Sequence, residues 1–262
     1  MDFGIRDRVA LVCGASQGLG RASAEALAAE GATVAVVSRR PDAIQQAATE
    51  IASAHGVPTM GLAADLVEPG ACERAVASTV ERFGRLDILV ANAGGPPPGY
   101  VDAIEDETWR RAFELTFLTT IRLARAALPH FVERGWGRLV VIGSGSMAAP
   151  IPNLATSSGI RPGLRAVIKL FAERHAKDGV TANVVAPGYV RTERLVEIGN
   201  ANREESGHGT MQLFRRLAAE IPLGRLGEPE EVGALVAFLA SERAAYITGQ
   251  LILIDGGRDR GL

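Results

Sequence analysis

Short runs of valine, leucine, isoleucine and alanine recur along the chain with helical stretches between them. The runs are Val9–Cys13, Thr33–Val37, Thr59–Ala63, Ile88–Ala91, Leu139–Ile142, Thr181–Val185 and Leu251–Ile254. They are near-continuous rather than alternating, the pattern of strands buried on both faces of a parallel sheet. Between them, apolar residues return at helical spacing over Ala22–Glu30, Ala43–His55, Ala71–Phe83, Thr108–Glu133, Gly163–His175 and Pro229–Leu239. Strand and helix in alternation predict an α/β fold: one doubly wound, Rossmann-like parallel sheet with helices on both faces. Right-handed crossovers then put ligands at the carboxyl ends of the strands.

No composition shift divides the 262 residues, so residues 1–262 are expected to form a single α/β domain. The alternation breaks over 191–221, where Arg194 to Thr210 is polar and holds Gly199, Asn200, Asn202, Gly207 and Gly209. Its place at the carboxyl edge of the sheet suggests a substrate lid, with a plain surface loop as the alternative.

The first strand leads into Gly14-Ala-Ser16-Gln17-Gly18-Leu19-Gly20 and then into an alanine-rich helix. Glycines in a strand-to-helix turn bare backbone N–H groups at the positive end of the helix dipole, where a phosphate can sit. Gly14 permits the tight turn, Gly18 lets backbone approach a pyrophosphate, and Gly20 lets the helix pack on the sheet. The spacing is G-x3-G-x-G, weak by itself because a tight turn without ligand has the same composition.

Formal net charge is −2, with 28 Lys and Arg against 30 Asp and Glu, and no basic stripe suggests nucleic acid or an anionic membrane. Cys13 and Cys72 lack paired spacing, and His55, His130, His175 and His208 lack ligand spacing, so neither a disulfide framework nor a metal is expected. Met1–Arg8 has no apolar signal core, and no run approaches about 18 apolar residues. A cytoplasmic protein is expected.

From these landmarks onward the chain resembles a short-chain dehydrogenase/reductase, and within that family the 3-oxoacyl-acyl-carrier-protein reductases. The resemblance rests on the glycine turn Gly14–Gly20, Asp65-Leu66 after the third strand, Asn92-Ala93-Gly94 after the fourth, and Ile142-Gly-Ser144 at the fifth. Pro187-Gly188 at the sixth and Ile247-Thr-Gly-Gln-Leu-Ile-Leu-Ile-Asp255-Gly-Gly near the end complete it. It implies that Asp65 and Leu66 meet adenine, that Asn92 to Gly94 lie beneath the nicotinamide ribose, and that Pro187, Gly188 and Val190 meet the carboxamide. For Asp65 the residues alone equally allow a cap before Glu68. Ser38-Arg39-Arg40 ends the second strand without the carboxylate that would bind the ribose 2′-hydroxyl of NAD. A guanidinium suits a 2′-phosphate instead, so NADP(H) is expected ahead of NAD(H).

One departure bears on chemistry. The family carries its proton on a tyrosine thirteen positions beyond the active-site serine, with a lysine four further on. Counting from Ser144 gives Ser157 and Arg161, and the family's asparagine on the helix through Trp109 falls on Thr116. Tyr100, Tyr189 and Tyr246 are the only tyrosines, and none is followed four residues later by lysine. Neither serine nor arginine is a good proton donor at neutral pH. Ser144, Ser157 and Arg161 are therefore expected to stabilise a developing oxyanion while water supplies the proton. Pro162 follows Arg161 and should start a helix, leaving Ser157, Ser158 and Gly159 in a loop. Tyr100 is read as a rim residue and Tyr189 as structural.

The expected function is reduction of a small ketone or 3-oxoacyl thioester with NADP(H). A pseudoenzyme that binds dinucleotide as a sensor or partner subunit is the alternative. Non-redox halide release ranks last, since the relatives that do it lack the glycine turn and keep the tyrosine. The family also implies a homotetramer through Thr108–Glu133, Gly163–His175 and the C-terminal strand.

Overall fold

Seven parallel strands form the centre of the molecule: β1 (Val9–Cys13), β2 (Thr33–Ser38), β3 (Thr59–Ala63), β4 (Ile88–Asn92), β5 (Gly137–Ile142), β6 (Val180–Pro187) and β7 (Leu251–Ile254). The computed structural model describes residues 2–196 and 209–261. Strand order is β3-β2-β1-β4-β5-β6-β7, so the winding reverses between β1 and β4. That switch point opens a crevice at the carboxyl ends of the strands.

The β-branched strands bury side chains on both faces, and two apolar clusters result. On one face α1 (Gly18–Ala29), α2 (Pro41–His55) and a late helix over Pro229–Leu239 cover Ala10, Val12, Val34, Val36 and Val90. On the other, α3 (Ala71–Phe83), α5 (Thr119–Glu133) and α6 (Ala155–His175) cover Leu11, Leu89, Leu139, Val141 and Val184. A short helix, α7 (Thr210–Ala219), carries Leu213, Phe214 and Leu217 into a third, smaller cluster with Leu226 and Tyr189. The Pro229–Leu239 helix is α8.

Two helices differ from the sequence expectation. Thr108–Glu133 is divided: α4 (Asp106–Phe113) passes through a wide π turn, Glu114–Leu118, into α5. Around that turn Thr116, Thr119 and Thr120 each donate a hydroxyl back to a main-chain carbonyl, of Ala112, Glu114 and Thr116 respectively. Such back-bonding lets a helix loosen locally. Thr116 is thereby buried and turned to its own backbone.

The start of α6 is the second correction. The helix begins at Ala155, seven residues ahead of Pro162, so Ser157, Ser158 and Gly159 are helical. Tertiary contacts override the proline. Ala155 N–H donates to the Gly99 carbonyl at 3.2 Å, and Ser158 Oγ accepts from Ile151 N–H at 3.0 Å. Gly159 lies so close to Trp109 that an added Cβ would stand 2.9 Å from the indole. Pro162 leaves only the Ser158 carbonyl without its i+4 donor.

At the opposite, amino end of the sheet, buried Asp87 accepts from Val9 N–H (2.9 Å) and from Arg85 (2.6 and 2.7 Å). Trp136 lies between the guanidiniums of Arg8 and Arg138, 3.9 and 4.1 Å from its ring centre. No described helix is long and apolar enough to cross a membrane.

Candidate active site

The β1–α1 turn dictates the first part of the site. Gly14 and Gly18 both take φ +60°, a region open to glycine and costly for other residues. A Cβ on Gly20 would run into the Gly14 carbonyl, so the first turn of α1 lies directly against the turn beneath it. Asn92, at the end of β4, donates Nδ2–H to the Cys13 and Gly14 carbonyls at 3.2 and 3.3 Å. This clamps the turn to the neighbouring strand across the switch point. No side chain caps α1, and its first turn holds no acidic residue. Its N–H groups are left for a ligand.

These elements open onto one cleft of about 1730 Å³. Apart from Gly20, which works from beneath, every residue expected from sequence to bind or react lines this cleft. Ser38 at the end of β2 has a buried hydroxyl with no hydrogen-bond partner among the described residues. Arg39 is exposed beside it, and Arg40 Nη2 donates to Gln17 Oε1 at 2.6 Å, joining the β2 end to the glycine turn. Asp65 shapes its own loop: its Oδ1 accepts from Val67 N–H at 3.2 Å, an Asx turn ahead of α3. An orphan hydroxyl flanked by arginines, beside an uncapped glycine cradle, fits a phosphorylated dinucleotide.

The far half of the cleft holds Ser144, Ser157 and Arg161. Ser144 N-caps the short turn Gly145–Met147, with its Oγ accepting from Ser146 N–H at 3.2 Å. The hydroxyl proton of Ser144 remains available to a ligand. Ser146 Oγ in turn shares a 2.9 Å bond with Ser157 Oγ. Ser146 therefore links both cleft serines, a contact between the turn after β5 and α6 that sequence spacing did not disclose.

Arg161, one helical turn beyond Ser157 on α6, is 5% exposed. Its Nε has no acceptor, and no carboxylate stands at ion-pair distance among the described residues. Burial alone pulls its pKa down to about 10, so it still carries its charge at neutral pH.

Sequence reasoning missed several residues on the β6 side. Arg194 reaches across the cleft and donates to the Pro96 carbonyl at 3.2 Å. Glu193 stands against Gly18, its Oε2 3.4 Å from where a Cβ would be. Arg216 and Gln212 of α7 also face the cleft. Their signal was present, as polar residues at one helical turn on an amphipathic segment, but it did not distinguish a cleft from solvent. Tyr189 accepts from Arg258 through its hydroxyl at 3.0 Å, and burial raises its pKa. Tyr100 is 60% exposed at the rim. Of the expected lid, Gly199, Asn200, Asn202, Gly207 and His208 lie outside the described residues.

A family model described as enoyl-(acyl carrier protein) reductase matches residues 14–259. The chain belongs to the short-chain dehydrogenase/reductase family. Among curated relatives of this family, the 3-oxoacyl-[acyl-carrier-protein] reductase of Escherichia coli K12 is 34% identical over 250 residues, 95% of this chain and 96% of that one. The short-chain reductase protein NovJ of Streptomyces niveus is 33% identical over 97% of this chain and 94% of its own. Among solved structures, the L-sorbose reductase of Gluconobacter frateurii, complexed with NADPH and L-sorbose, matches at TM-score 0.96 and 31% identity over the whole of both chains. The 3-oxoacyl (acyl-carrier-protein) reductase of Agrobacterium tumefaciens C58 with NADP bound matches at 0.88 and 32%, over 98% of this chain and 96% of that one. This short-chain dehydrogenase/reductase thus shares its fold with solved reductases along nearly its full length.

Proposed function

We propose that this protein is an NADP(H)-dependent reductase of a carbonyl compound, a small ketone or 3-oxoacyl thioester, working through an atypical active site. The observation that carries the reading is the cleft itself, where a phosphate-binding half and an oxyanion-binding half meet at the switch point. The glycine turn holds the pyrophosphate on the N–H groups of α1. Ser38 and Arg39 take the 2′-phosphate, while Arg40 holds Gln17 and closes that end. Asp65 and Leu66 meet adenine, Asn92 to Gly94 underlie the nicotinamide ribose, and Pro187, Gly188 and Val190 meet the carboxamide. NAD(H) is the weaker ligand in this reading, because no carboxylate at the end of β2 awaits a free 2′-hydroxyl.

When bound, the reduced nicotinamide supplies a hydride to the carbonyl carbon. Ser144 donates its free hydroxyl to the oxygen on which charge develops, the Ser157 hydroxyl reaches the same oxygen, and the Arg161 charge one helical turn away adds electrostatic support without bonding to it. Ser157 and Arg161 stand where the family resemblance calls for tyrosine and lysine. The proton then comes from water, and a loss of about 10²–10⁴-fold relative to a site with a positioned acid follows. The test is NADPH oxidation by purified protein with a panel of ketones and 3-oxoacyl thioesters. Turnover that falls about 10²-fold in Ser144→Ala, with NADPH affinity unchanged, is expected. No oxidation above background with any substrate refutes the reading.

One observation favours a second reading, a dinucleotide-binding sensor or partner subunit. Among the described residues no tyrosine hydroxyl stands free beside Ser144: Tyr189 is held by Arg258 and Tyr100 sits at the rim. Tight NADPH binding without turnover supports it. Further parts of the proposal are a substrate lid over 191–221, a cytoplasmic location and assembly as a homotetramer.

A further inference from the structure

We propose that the substrate of this cleft carries a carboxylate within one or two carbons of its reacting carbonyl, a 2-oxo or 3-oxo acid, and that Arg161 is the residue that selects it. The inference rests on the reductase reading above and narrows its substrate class.

Arg161 offers five N–H donors on a planar fork and receives no hydrogen bond acceptor from the described protein. A buried guanidinium left in this state is costly unless a ligand supplies both acceptors and opposite charge. Reduced nicotinamide and ribose hydroxyls are neutral and cannot supply the charge. The surroundings do not supply it either. In the same half of the cleft Arg194 and Arg216 also have no carboxylate at ion-pair distance among the described residues. Among the described residues lining this part of the cleft, Glu220 pairs with Arg258 at 3.2 Å, and Glu193, which stands against Gly18, makes no ion pair with Arg161. Among the described residues of this part of the cleft, Arg161, Arg194 and Arg216 are thus cations without a carboxylate partner, and Arg161 is the most buried of them.

Spacing sets the distance between the two ligand groups. Ser157 and Arg161 are four residues apart on one face of α6, a rise of about 6 Å. A carbonyl oxygen at Ser144 and Ser157 then leaves a carboxylate one or two carbons away within reach of the Arg161 fork. Bidentate pairing with a planar guanidinium is the geometry that carboxylates favour.

The probe is oxamate, the unreactive amide of a 2-oxo acid, titrated calorimetrically into protein saturated with NADPH, with neutral oxamide as its match. Oxamate is expected to bind at least about 10-fold more tightly, the value of one charge-assisted contact. Arg161→Gln should erase the difference with NADPH affinity retained, and Arg161→Lys should keep part of it. Equal affinity for oxamate and oxamide, or no binding of either, overturns the inference. The wild-type contrast decides the matter even if Arg161→Gln does not fold. A protein that binds oxamate selectively but reduces no carbonyl refutes the reductase reading while leaving the carboxylate site standing. One that reduces neutral ketones and ignores oxamate does the reverse.

Discussion

Arg161 is the residue at which stability and function pull apart. Its guanidinium is buried without an acid partner, and its pKa falls to about 10. Because the folded chain holds this proton less tightly than the unfolded chain, the unfolded state binds more protons between pH 10 and the ordinary guanidinium range. Stability contributed through Arg161 therefore rises as pH climbs through that window, and below pH 10 the full cost of burying the charge is present. Replacing a buried unpaired charge with an apolar side chain of similar length removes that cost, a gain of about 1–4 kcal/mol. Arg161→Met should thus melt several degrees higher than wild type at pH 7–8. The gap should shrink above pH 10, as thermal denaturation followed by circular dichroism across pH would show. An unchanged melting temperature would mean that the guanidinium is already compensated in solution.

At the scale of the element, α6 shows where sequence reasoning succeeds and where it stops. The strands, the glycine turn and the helices Ala71–Phe83 and Pro229–Leu239 were legible because each depends on its own residues: apolar runs, glycines, a proline in the first turn. The start of α6 was not, since Pro162 is a strong local signal and the contacts that outweigh it come from Gly99, Ile151 and Trp109, distant in sequence or outside the helical pattern. The π turn before α5 was hidden for a similar reason: threonine back-bonding has no periodicity of its own. Proline within a helix costs up to about 3 kcal/mol, and here it leaves the Ser158 carbonyl without a donor. Pro162→Ala should accordingly raise the melting temperature, and a scanning calorimetry trace with no upward shift would show that the helix has already adapted around the ring.

Across the whole molecule, the sheet order explains why residues from six strand ends share one cleft. Sequence gave the landmarks in chain order, and the reversal between β1 and β4 gathers them. The charge pattern of the far half was not legible, because Arg194 and Arg216 belong to a segment whose fold no local signal fixes. On the outside, Leu170 is 63% and Val132 43% exposed, and Leu253 of edge strand β7 is 37% exposed. Apolar side chains exposed on helices, together with an unpaired sheet edge, favour self-association. Size-exclusion chromatography with light scattering should therefore give a mass near four chains, and a monomer would count against the proposed tetramer.

The chain has two tryptophans, and the fold sets them at opposite ends of the sheet. Trp109 packs against Gly159, on the helical turn that bears Ser157 and Arg161, whereas Trp136 lies against the guanidiniums of Arg8 and Arg138 just ahead of β5, at the amino end of the sheet. The molecule consequently contains its own optical gauge. If the proposed cofactor binds, Trp136→Phe should keep the quenching of emission by energy transfer to the reduced nicotinamide, and Trp109→Phe should lose most of it.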